Sequence, residues 1–207
     1  MQIDHIVYAV SDLKTAINNF EEKLGVRPLY GGKHQTFGTK NALINLDKGV
    51  YLELLAPDPV NLEVPTPRWM GVDLLEKDQI TRWAIKTTDL TSISNMLKNY
   101  NSDMGKIQNG SRNLADGSIL KWELTMPLAA PEIELIPFAL DWSTSEKHPT
   151  AMLPPMNCKL INFYGTHPNP EKLSQILQNL NCPLPIEKAS KASLKLVVDC
   201  PNGIIEI

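Results

Sequence analysis

One pattern constrains this chain more than any other: a strand, a helix and three further strands occur in that order, and the order then recurs. Residues 3–10, IDHIVYAV, are short and rich in β-branched and aromatic side chains, as strands are. Ser11 and Asp12 follow, and either can accept a hydrogen bond from the free amides at a helix start. Leu13, Ile17, Phe20 and Leu24 then recur at helical spacing, and Gly25 stands where a helix end favours glycine. Residues 26–30, 37–46 and 49–55 read as three strands, with a turn at Gly31-Gly32-Lys33-His34. On the second pass residues 80–87 form the strand, and Asp89-Leu90 opens a helix as Asp12-Leu13 does. Residues 105–108, 120–126 and 133–138 supply three more strands, with a polar turn at 113–118.

The reading is therefore α+β, with βαβββ modules at 1–57 and 80–140 and linkers at 58–79 and 141–156. Residues 157–207 start the pattern a third time and stop short, as a partial β-α-β-β module expected to cover a sheet edge. A chain of 207 residues, 43% of them hydrophobic, can bury a sizeable core. Its 20 basic and 23 acidic residues leave a net charge of -3, with no sustained positive surface for nucleic acid or anionic lipid. No apolar run approaches the roughly 20 residues of a membrane helix, and acidic Asp4 stands where a signal peptide would be basic. Cys158, Cys182 and Cys200 lack the CxxC spacing of zinc or redox pairs. A cytoplasmic location is expected. A homodimer is compatible with the sequence but not specified by it. Neither GxSxG, a P-loop nor a GxGxxG after a strand occurs, so serine hydrolases and nucleotide-dependent enzymes have little support.

The strings DHIVYAVSDL, LGVRPLYGGKHQTFGTKNALINL and YLELLAP resemble the glyoxalase-like domains of the vicinal-oxygen-chelate superfamily, with GGxH…FGTxN…YLEL the specific part. NLADGSILKWELTMP, IPF, DW and His148-Pro149 also look like that family's later pattern, so the resemblance covers residues 1–150 well and the tail loosely. It implies paired modules forming a cup-shaped mixed β-sheet around a small-molecule pocket, often with a divalent metal (Zn, Ni, Mn or Fe). It does not name a reaction, because isomerases, lyases, dioxygenases and drug-sequestering proteins share the fold.

Strand alternation puts His5, Val7 and Ala9 on one face and Tyr51, Glu53 and Leu55 on one face of the module's last strand. Glu53 is an acid among apolar neighbours, and an unpaired buried charge costs about 3–5 kcal/mol, so His5 is its natural partner. The resemblance makes His5, Glu53 and, as third donor or general base, His34 the metal ligands. The alternative is a hydrogen-bonded His–Glu pair without metal. Aligning Asp12 with Asp89 carries His5 onto Arg82, which cannot ligate a metal but can bind an anionic group or pair with Glu134, the counterpart of Glu53. Thr39 and Asn41 could serve a polar substrate or sit in a bulge, and Arg112 with Trp122 could line the cup. The segment from Trp142 to His148 either folds back over the opening or is a structured linker. Three functions remain: a metal-dependent enzyme of glyoxalase type acting on an oxygen-bearing substrate, with or without an anionic group, a metal-free protein that binds small molecules in the same cup, or a partner-docking module with an exposed apolar patch and a cup filled by side chains.

Overall fold

The computed structural model describes residues 2–114, 117–182 and 184–207. The first run comprises β1 (Gln2–Ala9), α1 (Leu13–Leu24), β2 (Leu29–His34), β3 (Thr39–Asn45) and β4 (Tyr51–Pro57). The second comprises β5 (Gln79–Lys86), α2 (Leu90–Tyr100), β6 (Ile107–Asn113), β7 (Ile119–Thr125) and β8 (Phe138–Asp141). Both helices start as their sequences dictate: Thr15 N donates to Asp12 Oδ1 at 2.8 Å, and Ser92 N to Asp89 Oδ1 at 3.0 Å. At the end of α1, Gly25 takes the left-handed conformation that closes the helix.

The two runs curl into one sheet, and that sheet closes into a barrel in the order β1-β4-β3-β2-β6-β7-β8-β5. Strands β1 and β4 pair in parallel, as do β5 and β8, while β1 and β5 close the ring antiparallel. The junction opposite is thin: β2 and β6 share the single register pair Lys33↔Asn113. Alternation along each strand makes two cores. Ile6, Leu52, Leu54, Trp83 and Ile85 face outward beneath the helices, while Val7, Leu55, Ala84, Trp122 and Phe138 fill the interior. Fully burying a leucine or phenylalanine contributes about 1.5–3 kcal/mol, so this double set of apolar faces stabilises the ring.

After the barrel come the four-residue α3 (Pro149–Met152), then β9 (Lys159–His167), α4 (Pro170–Asn179), β10 (Ile186–Lys188), β11 (Ser193–Cys200) and β12 (Gly203–Glu206). These last strands form a separate sheet, ordered β10-β9-β11-β12. The expectation that the tail covers a sheet edge is corrected, since a closed barrel has none to cover. The tail packs against the outer wall instead: Phe163 meets the Trp83 ring edge-on at 5.4 Å, and Asn202 Nδ2 donates to Glu22 O at the end of α1 at 2.9 Å. It also holds one strand more than the sequence pattern announced, the three-residue β10.

Several further boundaries differ: the strands expected at 26–30 and 105–108 run over Leu29–His34 and Ile107–Asn113. The turn expected at Gly31 to His34 lies beyond His34, in the single 3-10 turn Gln35–Phe37, and both glycines belong to β2. Glycine is needed there for close approach: a Cβ on Gly31 would come 2.9 Å from Arg112 Nη1, and one on Gly32 would collide with Asn113 O. The strand expected at 133–138 begins at Phe138. The polar turn expected at 113–118 includes Ala115 and Asp116, which lie outside the described residues.

Candidate functional site

The interior polar cluster starts from a bulge in β1. Ile3 pairs with Ile85 and His5 with Ala84, so Asp4 is an extra residue and both Asp4 and His5 turn inward. Strict alternation would have sent them to opposite faces. Asp4 is completely buried, and its carboxylate is satisfied by three N–H donors. His5 Nδ1 lies 2.6 Å from Oδ1, while Trp142 Nε1 and His148 Nε2 lie 2.8 and 3.0 Å from Oδ2. Burial alone would raise the Asp4 carboxyl, but the hydrogen bonds from His148 and His5 and their charges hold it well below the usual carboxylate range. An ionised carboxylate only accepts, so Nδ1 of His5 carries a proton and Nε2 points the other way.

Across the interior Nε2 meets Glu53 Oε2 at 3.5 Å, too far for a sound hydrogen bond. Nε2 is buried and has no hydrogen-bond partner. Glu53 comes from β4, where Val7↔Glu53 is the register pair, and its Oε1 accepts from Asn41 Nδ2 at 2.5 Å. That bond fixes the amide orientation, leaving Asn41 Oδ1 buried and unpartnered. Tyr51 stacks on the His5 ring at 4.8 Å, and burial followed by the charges of Asp4 and Glu53 holds its hydroxyl well above the usual phenol range. The segment leaving β8 folds back over this end of the barrel, its Trp142 and His148 both anchored on Asp4.

Arg112 enters from β6, is 4% exposed, and makes no hydrogen bond with any described residue; its Nε is among the buried atoms without a partner. Burial lowers its pKa, against the opposing pull of Tyr51, Glu53 and Tyr30. A cleft of about 810 Å³ runs from the surface at the thin β2–β6 junction to Arg112 and Leu43, and Leu43 is the register partner of Glu53.

The remaining candidates are placed elsewhere. His34 lies not at a hairpin tip but buried at the end of β2, its Nδ1 2.9 Å from Thr39 Oγ1 and its ring edge-on to Trp69 and Trp122. Burial, reinforced by the positive charge of Arg112, pushes its pKa well below the usual imidazole value, so it is neutral near pH 7. Thr39 is thereby engaged with His34, and the bulge is on β2, between Tyr30 and Gly32, rather than at Thr39. Trp122 is buried in the interior, with its indole N–H unpartnered and its ring 5.2 Å from that of Trp142. Arg82 points inward, but its guanidinium is committed to the carbonyls of Thr81, Leu128, Ala130 and Glu132, clamping the loop before β8. Burial draws its pKa down to about 10. It forms no ion pair with Glu134, whose Oε1 accepts from Ile136 N at 2.9 Å. Nor is Glu134 the counterpart of Glu53: the parallel pair Ala84↔Phe138 matches Val7↔Glu53, so that place belongs to Phe138.

The donor set does not complete a divalent-ion centre. His5 Nε2 and Glu53 Oε2 converge, but among the described residues no group of three or more His, Cys, Asp or Glu side chains comes together. A catalytic divalent centre ordinarily takes three protein ligands. Asp4 is saturated by N–H donors, and the guanidinium charge of Arg112 is felt by Glu53's neighbours in the same interior. The residues fall one donor short.

Sequence reasoning missed Asp4, Trp142 and His148 as one network. The available signal was the Asp-His pair opening the first strand, together with a Trp and a His in a segment able to fold back.

Comparison with known proteins gives a match to the glyoxalase-like domain family over residues 3–181. No curated protein matches. Among solved structures, a hypothetical protein from Staphylococcus aureus is similar over 93% of this chain and 88% of its own, with TM-score 0.68 and 17% identity. Methylmalonyl-CoA epimerase from Mycobacterium tuberculosis is similar over 68% of this chain and 87% of its own, with TM-score 0.43 and 18% identity. A hypothetical protein from Bacillus halodurans is similar over 68% and 91%, with the same TM-score and identity. At such identities the likeness is one of fold. No helix among the described residues is long and apolar enough to cross a membrane.

Proposed function

We propose, since the chain belongs to the glyoxalase-like domain family, that its barrel is a small-molecule site in which Glu53 and His5 move a proton on an oxygen-bearing substrate. One observation carries this reading: the buried, unpartnered Nε2 of His5 faces Glu53 Oε2 at 3.5 Å, beside a cleft that reaches the neighbouring Leu43. Leaving a buried polar atom unsatisfied costs about 1–3 kcal/mol, and such a cost is tolerated where the atom has a task. In the proposed step a C–H bond next to a carbonyl breaks and its proton passes to Glu53, from which the unprotonated Nε2 of His5 accepts it and to which it gives it back. The electron pair moves onto the carbonyl oxygen, then returns as the proton is handed back. Asp4 holds His5 so that Nε2 is the nitrogen on offer, Asn41 holds Glu53, and the charge of Arg112 makes added negative charge less unfavourable in the interior. Neutral His34 and its tryptophan neighbours exclude water.

A second reading starts from the same orphaned nitrogen: His5 Nε2 and Glu53 Oε2 would be two of the donors of a divalent ion, which would polarise the substrate oxygen, with the missing donor coming from outside the protein. The experiment that separates the two is exchange of substrate C–H for deuterium. Small oxo acids and esters are incubated with the protein in D2O and followed by proton NMR. The proton-transfer reading expects exchange that survives exhaustive chelation and disappears in Glu53→Gln and His5→Ala. Exchange abolished by chelation and restored by Zn, Ni, Mn or Fe supports the ion instead. Absence of exchange across the panel, with or without added metal, leaves a binding protein. The three free cysteines, all buried, agree with a reducing, cytoplasmic setting.

A further inference from the structure

We infer that the cleft at the β2–β6 junction takes an amphipathic carboxylic acid, with its carboxylate on Arg112, a hydrogen-bond donor on the adjacent carbon, and an apolar chain running outward. This deepens the reading of the same interior given above and rests on it for the chemistry, though not for the binding.

Arg112 and Asn41 set the polar end. Arg112 is 4% exposed and its guanidinium hydrogen-bonds no described residue, Nε being buried without a partner, so the group is matched by a planar carboxylate that it can grip through two parallel N–H bonds. Asn41 Oδ1 is a buried acceptor without a donor, and Glu53 fixes that orientation because a carboxylate can only accept from the amide nitrogen. Both groups crowd the same spot above the Cα of Gly31, a residue that lines the cleft. An anion next to an N–H or O–H donor therefore satisfies both atoms at once. A single negative charge fits better than a phosphate dianion, since Glu53 already brings negative charge to the same interior.

The outer part of the cleft is apolar. Leu29, Ile119, Met152 and Leu153 line it, and Leu29 and Ile119 on their strands and Met152 at the end of α3 are 37%, 56% and 38% exposed, a cluster of large apolar side chains left open on one face. Lys121 and Lys147 flank the wall with one acidic neighbour, Glu146, so the outer cleft keeps a net positive charge that draws an anion inward without fixing it. The thin junction, with one register pair, is where a chain passes between strands without breaking a ladder.

The test is an amide-resonance titration of the full chain with sodium octanoate, sodium 2-hydroxyoctanoate, octyl phosphate and 1-octanol. Octanoate is expected to bind saturably and shift resonances of Leu29, Gly31, Leu43 and Ile119. The 2-hydroxy acid is expected to bind severalfold more tightly, and octyl phosphate and 1-octanol at least tenfold more weakly. Arg112→Gln weakens octanoate tenfold or more while Arg112→Lys retains part of the affinity. Ile119→Asp, a surface change that leaves the interior intact, also weakens it. Equal binding of octanoate and 1-octanol overturns the inference, as do shifts confined to another face or unchanged affinity in both Arg112→Gln and Ile119→Asp. Octanoate binding without deuterium exchange in any substrate leaves this inference standing and removes the proton-transfer reading. Exchange without octanoate binding does the reverse.

Discussion

Replacing Asp4 by Asn and by Ala separates the structural share of the buried network from its share in setting up His5. The carboxylate accepts from three donors, at 2.6, 2.8 and 3.0 Å, with none of its surface exposed. In Asp4→Asn the best amide orientation keeps the carbonyl oxygen toward Trp142 and His148 and turns the NH2 toward His5. His5 then accepts at Nδ1 and carries its proton on Nε2, directed at Glu53. His5, Trp142 and His148 each keep a partner while one N–H of the new amide gains none, so the loss is mainly charge assistance, about 1 kcal/mol per bond and roughly 2–3 kcal/mol in all. Asp4→Ala strands the buried His5 donor and the part-buried donors of Trp142 and His148 at about 1–3 kcal/mol each, and a loss of about 5 kcal/mol is expected. At about 2–4 °C per kcal/mol for a chain of this size, Tm falls by roughly 5–10 °C in the first variant and 10–20 °C in the second. The sign with pH is fixed by the depressed Asp4 carboxyl. Its stabilisation is complete above the ordinary carboxylate pKa of 3.8 and is lost as pH falls below it, so the gap between wild type and Asp4→Asn closes from about pH 4 downward. Urea unfolding monitored by tryptophan fluorescence from pH 3 to 7, with calorimetry at pH 7, measures all of this. If Asp4→Ala is no less stable than Asp4→Asn, or both lie within about 0.5 kcal/mol of wild type, the network does not hold this end of the barrel.

Gly31→Ala places a Cβ against Asn41 Oδ1 and Arg112 Nη1; it is expected to destabilise by about 1–3 kcal/mol in urea titrations and to weaken octanoate binding along with it. Because the His34 pKa is depressed by burial, the unfolded chain takes up a proton below about pH 6.5 that the folded chain refuses. Stability therefore falls between pH 7 and 5, by at most about 1.4 kcal/mol per pH unit for that one proton, and His34→Gln should remove that part of the slope. Trp83→Ala removes the ring that meets Phe163 and the hydrogen bond to Leu135 O at 2.8 Å, so a loss of about 3–5 kcal/mol is expected, with hydrogen exchange fastest in the C-terminal sheet.

Periodicity and capping made most of this architecture legible, because both are local. Asp12 and Asp89 announced two helices that begin where their side chains can reach the amides, and alternation put Glu53 on the inner face of β4. What escaped was set by distant parts of the chain. The glycines at 31 and 32 signal a turn locally but serve a strand that must let Arg112 and Asn41 pass, a requirement created more than seventy residues away in the case of Arg112. The bulge at Asp4 depends on register with β5, so an alternation count from β1 alone misdirects that side chain. Aligning the two runs by their helix starts put Arg82 on the inner face of the barrel, but its partners turned out to be loop carbonyls that no residue pattern marks. Closure of the sheet is likewise a long-range fact, and it alone decides that the tail lies on a wall rather than an edge.

The claim on which the functional account turns is that Asp4 holds the proton of His5 on Nδ1, so that Nε2 confronts Glu53 in the barrel interior. Long-range 1H–15N correlation of the His5 ring in folded protein reads both nitrogens directly. The account predicts a protonated Nδ1 in wild type, an Nε2 resonance that moves in Glu53→Gln, and an exchange of the two roles in Asp4→Asn. An unprotonated Nδ1 in wild type, or an Nε2 resonance indifferent to Glu53→Gln, would contradict it.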